Sequence, residues 1–175
     1  MLDIGLLILR IVLGGVMMGH GAQKLFGWFG GKGLAGAYKM IDTLGYRPVW
    51  LWAWMSGLTE FGGGLLTLLG FLNPLGSLGI IAPMLTAIIK SHWKNGLWNS
   101  NRGFEFPLVN LAAALALGLT GPGLYSLDAL FKISFPEPLT LLVGLVLVIL
   151  GLLAQDLTKH TAASQRSSAG QTRRP

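Results

Sequence analysis

Residues 4–26 read IGLLILRIVLGGVMMGHGAQKLF, an apolar run whose strongly polar side chains are Arg10, His20, Gln23 and Lys24. About 20 apolar residues in a helix cross the ~30 Å hydrocarbon core of a bilayer, so this run predicts one membrane crossing. It has no basic leading region or Ala-x-Ala cleavage site, and it is too long for the apolar part of a signal peptide. It is therefore expected to persist as a first transmembrane helix.

Working outward, four more apolar spans follow at about 50–72, 75–93, 105–121 and 137–154, each close to one crossing. The second and third are joined only by Leu72-Asn73-Pro74, a turn signal that forces an antiparallel helical hairpin. Residues 27–49 open with Gly27-Trp28-Phe29-Gly30-Gly31 and then carry Leu34, Tyr38, Ile41 and Leu44, with Lys32 and Lys39 between them. That spacing predicts a short helix lying in the membrane interface. Beyond Gln155 the apolar periodicity ends, and residues 158–175 are expected to form a disordered basic tail.

Composition agrees with this layout. Hydrophobic residues make up 52% of the chain and charged ones 11%, and the mean hydropathy of +0.61 is too high for a soluble domain of this size. Lys and Arg outnumber Asp and Glu by 13 to 7, but the charges are strung between apolar spans instead of forming a solvated basic face. Nucleic acid is thus not an expected partner, and the anionic headgroups of the bilayer are. There is no cysteine, which removes thiol chemistry and thiolate metal sites from the chain itself.

The basic residues also orient the chain. Lys24, Lys32, Lys39 and Arg47 fall in one connection, Lys90, Lys94 and Arg102 in another, and Lys159, Arg166, Arg173 and Arg174 in the tail. The hairpin at 73 carries none and the last connection carries Lys132. Positive charge collects on cytoplasmic loops, so the expected topology has the N-terminus outside, five crossings and a cytoplasmic C-terminus.

A charged side chain within a span costs at least ~2.5–3.5 kcal/mol near the centre on insertion scales, so each one requires a partner or a task. At 100° per residue Arg10, Gly14, Met17, His20 and Lys24 share one face of the first helix. Ala53, Ser56, Glu60, Gly63, Gly64 and Thr67 share one face of the second. Counted inward from the helix ends at 1.5 Å per residue, Arg10 lies ~22 Å deep and Glu60 ~15 Å. This allows an Arg10–Glu60 pair that either locks two helices or handles protons or a ligand. His20, Lys24, His92 and Glu105 fall near the same ends of three helices, with Asn99 in the same connection as His92. They are candidates for a ligand or proton-handling pocket, or else ordinary interfacial anchors. Two His and two carboxylates without an i, i+3 or i, i+4 pair do not predict a metal site. Gly31-Lys32-Gly33-Leu34-Ala35-Gly36 matches a dinucleotide fingerprint in spelling, but it follows a membrane helix and lacks the acidic residue at a later strand end.

Several runs resemble the DoxX family. They are Leu9-Arg10-Ile11-Val12-Leu13-Gly14, His20-Gly21-Ala22-Gln23-Lys24-Leu25-Phe26-Gly27-Trp28-Phe29-Gly30-Gly31, Gly57-Leu58-Thr59-Glu60-Phe61-Gly62-Gly63-Gly64, Asn95-Gly96-Leu97-Trp98-Asn99, Gly103-Phe104-Glu105-Phe106-Pro107 and Gly121-Pro122-Gly123-Leu124-Tyr125-Ser126-Leu127-Asp128. The resemblance implies an all-α polytopic membrane protein, with an antiparallel four-helix bundle over 1–130 and the interfacial segment at 27–49. A fifth transmembrane helix at 131–157 and the tail at 158–175 depart from the family pattern. It also implies a bacterial inner-membrane location and similarity to membrane subunits of quinone-linked oxidoreductases in sulfur or oxidative-stress metabolism. On that reading a quinone would be the cofactor and a soluble redox protein the partner, with His20, Glu60, His92 and Glu105 around the headgroup or relaying its protons. The residues leave open a non-enzymatic scaffold, or a transporter holding a small anion beside Arg10 and Lys24, and a homo-oligomer is compatible with either. Because the chain has no cysteine, single cysteines give a clean topology test: at Lys32 and Ser167 they are expected to label only from the cytoplasm, and at Asn73 only from outside.

Overall fold

The computed structural model describes the backbone of residues 1–171 and the side chains of residues 1–136 and 138–159. Among the described residues there is no strand. The helices are α1 (Leu2–Leu25), α2 (Gly33–Leu44), α3 (Val49–Leu69), α4 (Asn73–Thr86), α5 (Glu105–Thr120), α6 (Leu127–Phe131) and α7 (Glu137–Gln171). A π-helical segment (Ala87–His92) and a 3-10 turn (Trp93–Asn95) prolong α4. The chain is an all-α membrane protein. Leu2–Leu25, Asn73–Asn95 and Pro138–Lys159 are long and apolar enough to cross a bilayer. At 21 residues, α3 has the length but is diluted by Trp50, Trp52, Trp54, Glu60 and three consecutive glycines. It packs against α1 on one side and α4 on the other, so its polar face meets protein instead of lipid.

The α1–α3 contact is the most extensive in the molecule, and glycine makes it possible. A Cβ on Gly14 would lie 2.5 Å from the Leu68 nitrogen and 2.7 Å from the Gly64 oxygen. The two backbones therefore touch, the arrangement expected where helices associate without water to expel. Gly64 stands against Met18, Gly21 against Phe61, and Gly57 against the end of the Leu25 side chain. This register fixes an axial offset. The last residue of α1 faces Gly57, whereas α3 starts at Val49, so α3 overhangs α1 by about eight residues, or ~12 Å. The overhang is covered by α2, whose Ala37 and Ile41 pack with Tyr46 and Ala53.

On its other side α3 meets α4 through Gly63 against Gly79. The main core is built from Leu6, Leu13, Met17, Ile80, Ile81, Met84, Ala114, Leu117 and Leu141, drawn from α1, α4, α5 and α7. The expected hairpin is present. Gly70 ends α3 in the left-handed region (φ 60), and the Phe71 amide closes the turn onto the Leu66 carbonyl at 2.9 Å.

The end holding 25–49, 87–105 and the last turns of α7's apolar span carries most of the described cations and is called the basic end below. The opposite end is a knot of polar contacts. The Asp128 carboxylate accepts the Leu72 amide (2.8 Å) and the Asn73 amide (2.9 Å), and the Asn73 side chain donates to the Leu117 carbonyl (2.9 Å). Asn73 is only 1% exposed, so the topology reporter for this end belongs at Leu124, which is 72% exposed.

Within α7, Leu141 lies in the core and Gly144 receives Leu78. At the basic end Asp156 pairs with Lys90 of the π-helical segment. The tail expected from residue 158 begins inside this helix: residues 158–171 continue it, and 172–175 lie outside the described residues. No Pro or Gly interrupts 152–169, and extending an existing helix costs far less than starting one.

The glycine contacts make a direct test. Gly64→Ala should force α1 from α3 and destabilise the protein by about 1–3 kcal/mol. Gly62→Ala, where nothing lies within 4 Å, should be neutral or gain up to ~1 kcal/mol from helix propensity. Thermal unfolding in detergent distinguishes the two, and equal losses would remove the register from the account.

Candidate functional site

Lys24, in the last turn of α1, reaches α3. Its Nζ donates to Glu60 Oε1 at 2.6 Å and to Ser56 Oγ at 2.8 Å. Ser56 and Glu60 are four residues apart and share one face of α3, so one ammonium bridges both. Burial of the pair is unequal. Glu60 is 4% exposed, whereas the Lys24 side chain is 27% exposed. The second carboxylate oxygen, Oε2, is buried with no hydrogen-bond partner. A buried carboxylate with one oxygen held and the other open is costly unless something uses it. Beside it, Phe61 meets Phe26 edge-on (5.5 Å between ring centroids), and Phe26 meets Trp28 at 5.0 Å. The result is a buried carboxylate paired with a partly exposed ammonium near a cluster of aromatic rings.

The structure corrects the expected Arg10–Glu60 pair. That pairing took the two helices as flush at the basic end, and the ~12 Å overhang of α3 moves Glu60 level with Lys24. Arg10 is instead level with Gly70, whose Cβ position falls on the guanidinium. Arg10 is fully buried; its Nη2 donates to the Tyr125 carbonyl and it lies within the field of Asp128. Fourteen residues separate Arg10 from Lys24, ~21 Å along one helix, so these two cations do not flank a common anion.

The remaining candidates divide between two places. His20 is exposed and its ring lies 5.4 Å from that of Phe106, which ties α1 to the start of α5. The other three build the 92–105 connection. His92 Nδ1 lies 2.7 Å from the Arg102 carbonyl, and the Asn99 amide donates to Glu105 Oε2 at 2.9 Å. The Trp93 ring stacks on Phe104 at 5.4 Å, and the Glu105 amide returns to the Leu97 carbonyl at 2.8 Å. His92, Asn99 and Glu105 are thus engaged in holding their own loop. Among the described residues no three His, Asp or Glu side chains form a metal-holding group. The Gly-rich run after α1 has a similar local task, since Gln23 donates its side-chain amide to the Phe29 carbonyl at 3.2 Å.

Three residues that matter were missed in the sequence. Asp128 reads as a loop acid, although Ser126, two residues earlier, caps α6 by accepting the Ala129 amide at 3.1 Å. Asp156 and Tyr46 form a second charged junction with Lys90, and Lys159 lies 5.4 Å over the Tyr46 ring. Burial pushes the Tyr46 phenol above its ordinary range, and the charge of Asp156 and its hydrogen bond push it further the same way. The phenol therefore stays protonated as a donor to that carboxylate. Only the polar Gln155-Asp156 step directly after the apolar span at 137–154 could have signalled this junction.

A protein-family model described as DoxX matches residues 5–93. The chain is 32% identical over 132 residues to the inner membrane protein YqjF of Escherichia coli (strain K12), covering 74% of this chain and 94% of that protein. No solved structure matches.

Double-mutant cycles separate the two pairings. Lys24→Gln and Glu60→Gln should be coupled, the double variant recovering about 1 kcal/mol or more, tempered by the partial exposure of Lys24. Arg10→Gln and Glu60→Gln should add within ~0.5 kcal/mol. Unfolding in detergent reads both, and strong Arg10–Glu60 coupling would overturn the register.

Proposed function

The chain belongs to the DoxX family, and from that premise we propose that it is an inner-membrane subunit of a quinone-linked redox system, in which Lys24, Glu60 and Ser56 handle the protons of a quinone headgroup. The observation that carries the reading is the open, buried Oε2 of Glu60 beside an ammonium held at 2.6 Å. An inner-membrane location accords with the E. coli relative and with the apolar helices. The cationic loops support an orientation with the basic end in the cytoplasm.

The residues present fit such a headgroup. Lys24 Nζ and the Ser56 hydroxyl are the donors for a carbonyl oxygen, and Phe26 and Phe61 are the ring surfaces for its flat face. A quinone, when bound, takes up electrons together with protons, and here the electrons come from a soluble partner protein. The chain's own residues manage the rest. Lys24 fixes Oε1, so that Oε2 is the oxygen that takes or gives a proton. Ser56 keeps the ammonium on the α3 face. The partial exposure of Lys24 opens the pair to water at the basic end, which lets a proton return without crossing the hydrocarbon.

The experiment is quinone retention by the protein purified with native lipids, read by extraction and absorbance, together with redox-coupled proton uptake in vesicles. The wild type should carry quinone. Lys24→Gln should lower retention by about tenfold, a loss of ~1.4 kcal/mol, with helical content unchanged. Glu60→Gln should keep more of the quinone and lose proton uptake. A wild-type protein free of quinone and unable to bind added quinone would remove the proposal.

A further inference from the structure

We propose that the groove between α2 and the first turn of α3 holds the headgroup of one anionic, amine-free phospholipid from the surrounding bilayer. The groove is a shallow, open depression of about 540 Å³ lined by Tyr38, Lys39, Asp42, Val49 and Trp50. It lies in the ~12 Å of α3 that projects past the end of α1. An exposed tryptophan beside an exposed lysine, here Trp50 and Lys39, is the pairing found at the membrane–water boundary, and it is this pairing that assigns the groove to the headgroup layer.

The lining has two sides. Val49 and Trp50, the latter 60% exposed, give an apolar wall for the glycerol and the first acyl carbons, the place that tryptophan favours at a membrane boundary. Lys39 and Asp42 give the polar side, and their charges are not equivalent. Asp42 Oδ1 is 2.6 Å from Arg47 Nη2, so these two cancel. Lys39 then leaves the groove with one positive charge, the complement of the single negative charge of a phosphodiester. With Asp42 committed to Arg47, the lining offers no uncommitted carboxylate to an ammonium. A headgroup such as phosphoglycerol therefore fits better than phosphoethanolamine, and free phosphate lacks the apolar part that Val49 and Trp50 would cover.

The full chain, delipidated in detergent and titrated with defined phospholipids, can be read by native mass spectrometry as the fraction carrying one lipid. Phosphatidylglycerol should be held about tenfold more tightly than phosphatidylcholine or phosphatidylethanolamine, and excess inorganic phosphate should not displace it. Lys39→Glu and the milder Lys39→Gln, both at an exposed position, should bring phosphatidylglycerol to the level of phosphatidylcholine, and Lys39→Arg should keep the preference. Equal retention of the three lipids, displacement by inorganic phosphate, or unchanged retention in both Lys39→Glu and Lys39→Gln would overturn the assignment.

Discussion

Where Gly14 meets Gly64, two helix backbones touch without side chains between them, and the positions of the polar groups follow from that contact. Lipid gives helices no hydrophobic reason to associate, so close van der Waals approach and hydrogen bonding must hold them together. Once the backbones touch, axial sliding is blocked by Met18, Phe61 and Leu68, and the register is set. It places Lys24 beside Ser56 and Glu60 and Arg10 beside Gly70. It also leaves the first turns of α3 projecting, where α2 and the 45–48 turn can pack. A one-turn shift would separate every one of these partners.

The charged side chains within the bundle, some fully buried and some partly exposed, are distributed in separate groups instead of one polar channel. Glu60 has Lys24 at one end of the bundle, while Arg10 has Asp128 and a backbone carbonyl at the other. Asp156 has Lys90 and Tyr46 where α7 meets the rest. Each group joins segments distant in sequence. In a low-dielectric setting the partner of a buried charge is costly to lose, so these junctions resist rearrangement more firmly than apolar contacts of the same area. Unpartnered buried atoms occur in two of these groups, at Arg10 Nε and Nη1 and at Glu60 Oε2. Arg10 is fully buried, whereas Glu60 shares its site with a Lys24 side chain that is 27% exposed, and that combination is the physical reason for regarding the Lys24–Glu60 group as a candidate for chemistry.

The elements could be read from the sequence because the bilayer imposes their length. The spans read at 4–26, 50–72, 75–93 and 105–121 correspond to α1, α3, α4 with its continuation, and α5, and the periodic stretch after Phe29 to α2. Periodicity also found the right faces: Lys24 and Glu60 do lie on the facing stripes. It could not supply axial offset, because an angle around a helix says nothing about position along a neighbour. Arg10 was therefore assigned the wrong carboxylate. The polar residues of 92–105 were legible as a group but not as a loop fastening, since helix ends need partners for their own backbone groups and the sequence does not say which side chains provide them. Asp128 lies 118 positions from Arg10, a separation over which no local pattern speaks.

That separation has a consequence for biogenesis. Arg10 is among the first residues made, whereas the Tyr125 carbonyl that receives it comes 115 residues later. At ~5–20 residues per second, the guanidinium waits roughly 6–23 s for its acceptor. Until then α1 holds an unmatched cation at a cost of a few kcal/mol if it sits deep, so the nascent helix is driven to ride high, with Arg10 near the surface. Residues 5–93, the span of the family match, contain neither Tyr125 nor Asp128. The contacts that hold the first helix at this depth are thus completed only by the 121–128 segment, whose Asp128 amide bonds the Gly70 carbonyl at 3.0 Å. A ribosome stalled before residue 125 would leave a chain with its hairpin formed and its first helix not yet at its final depth.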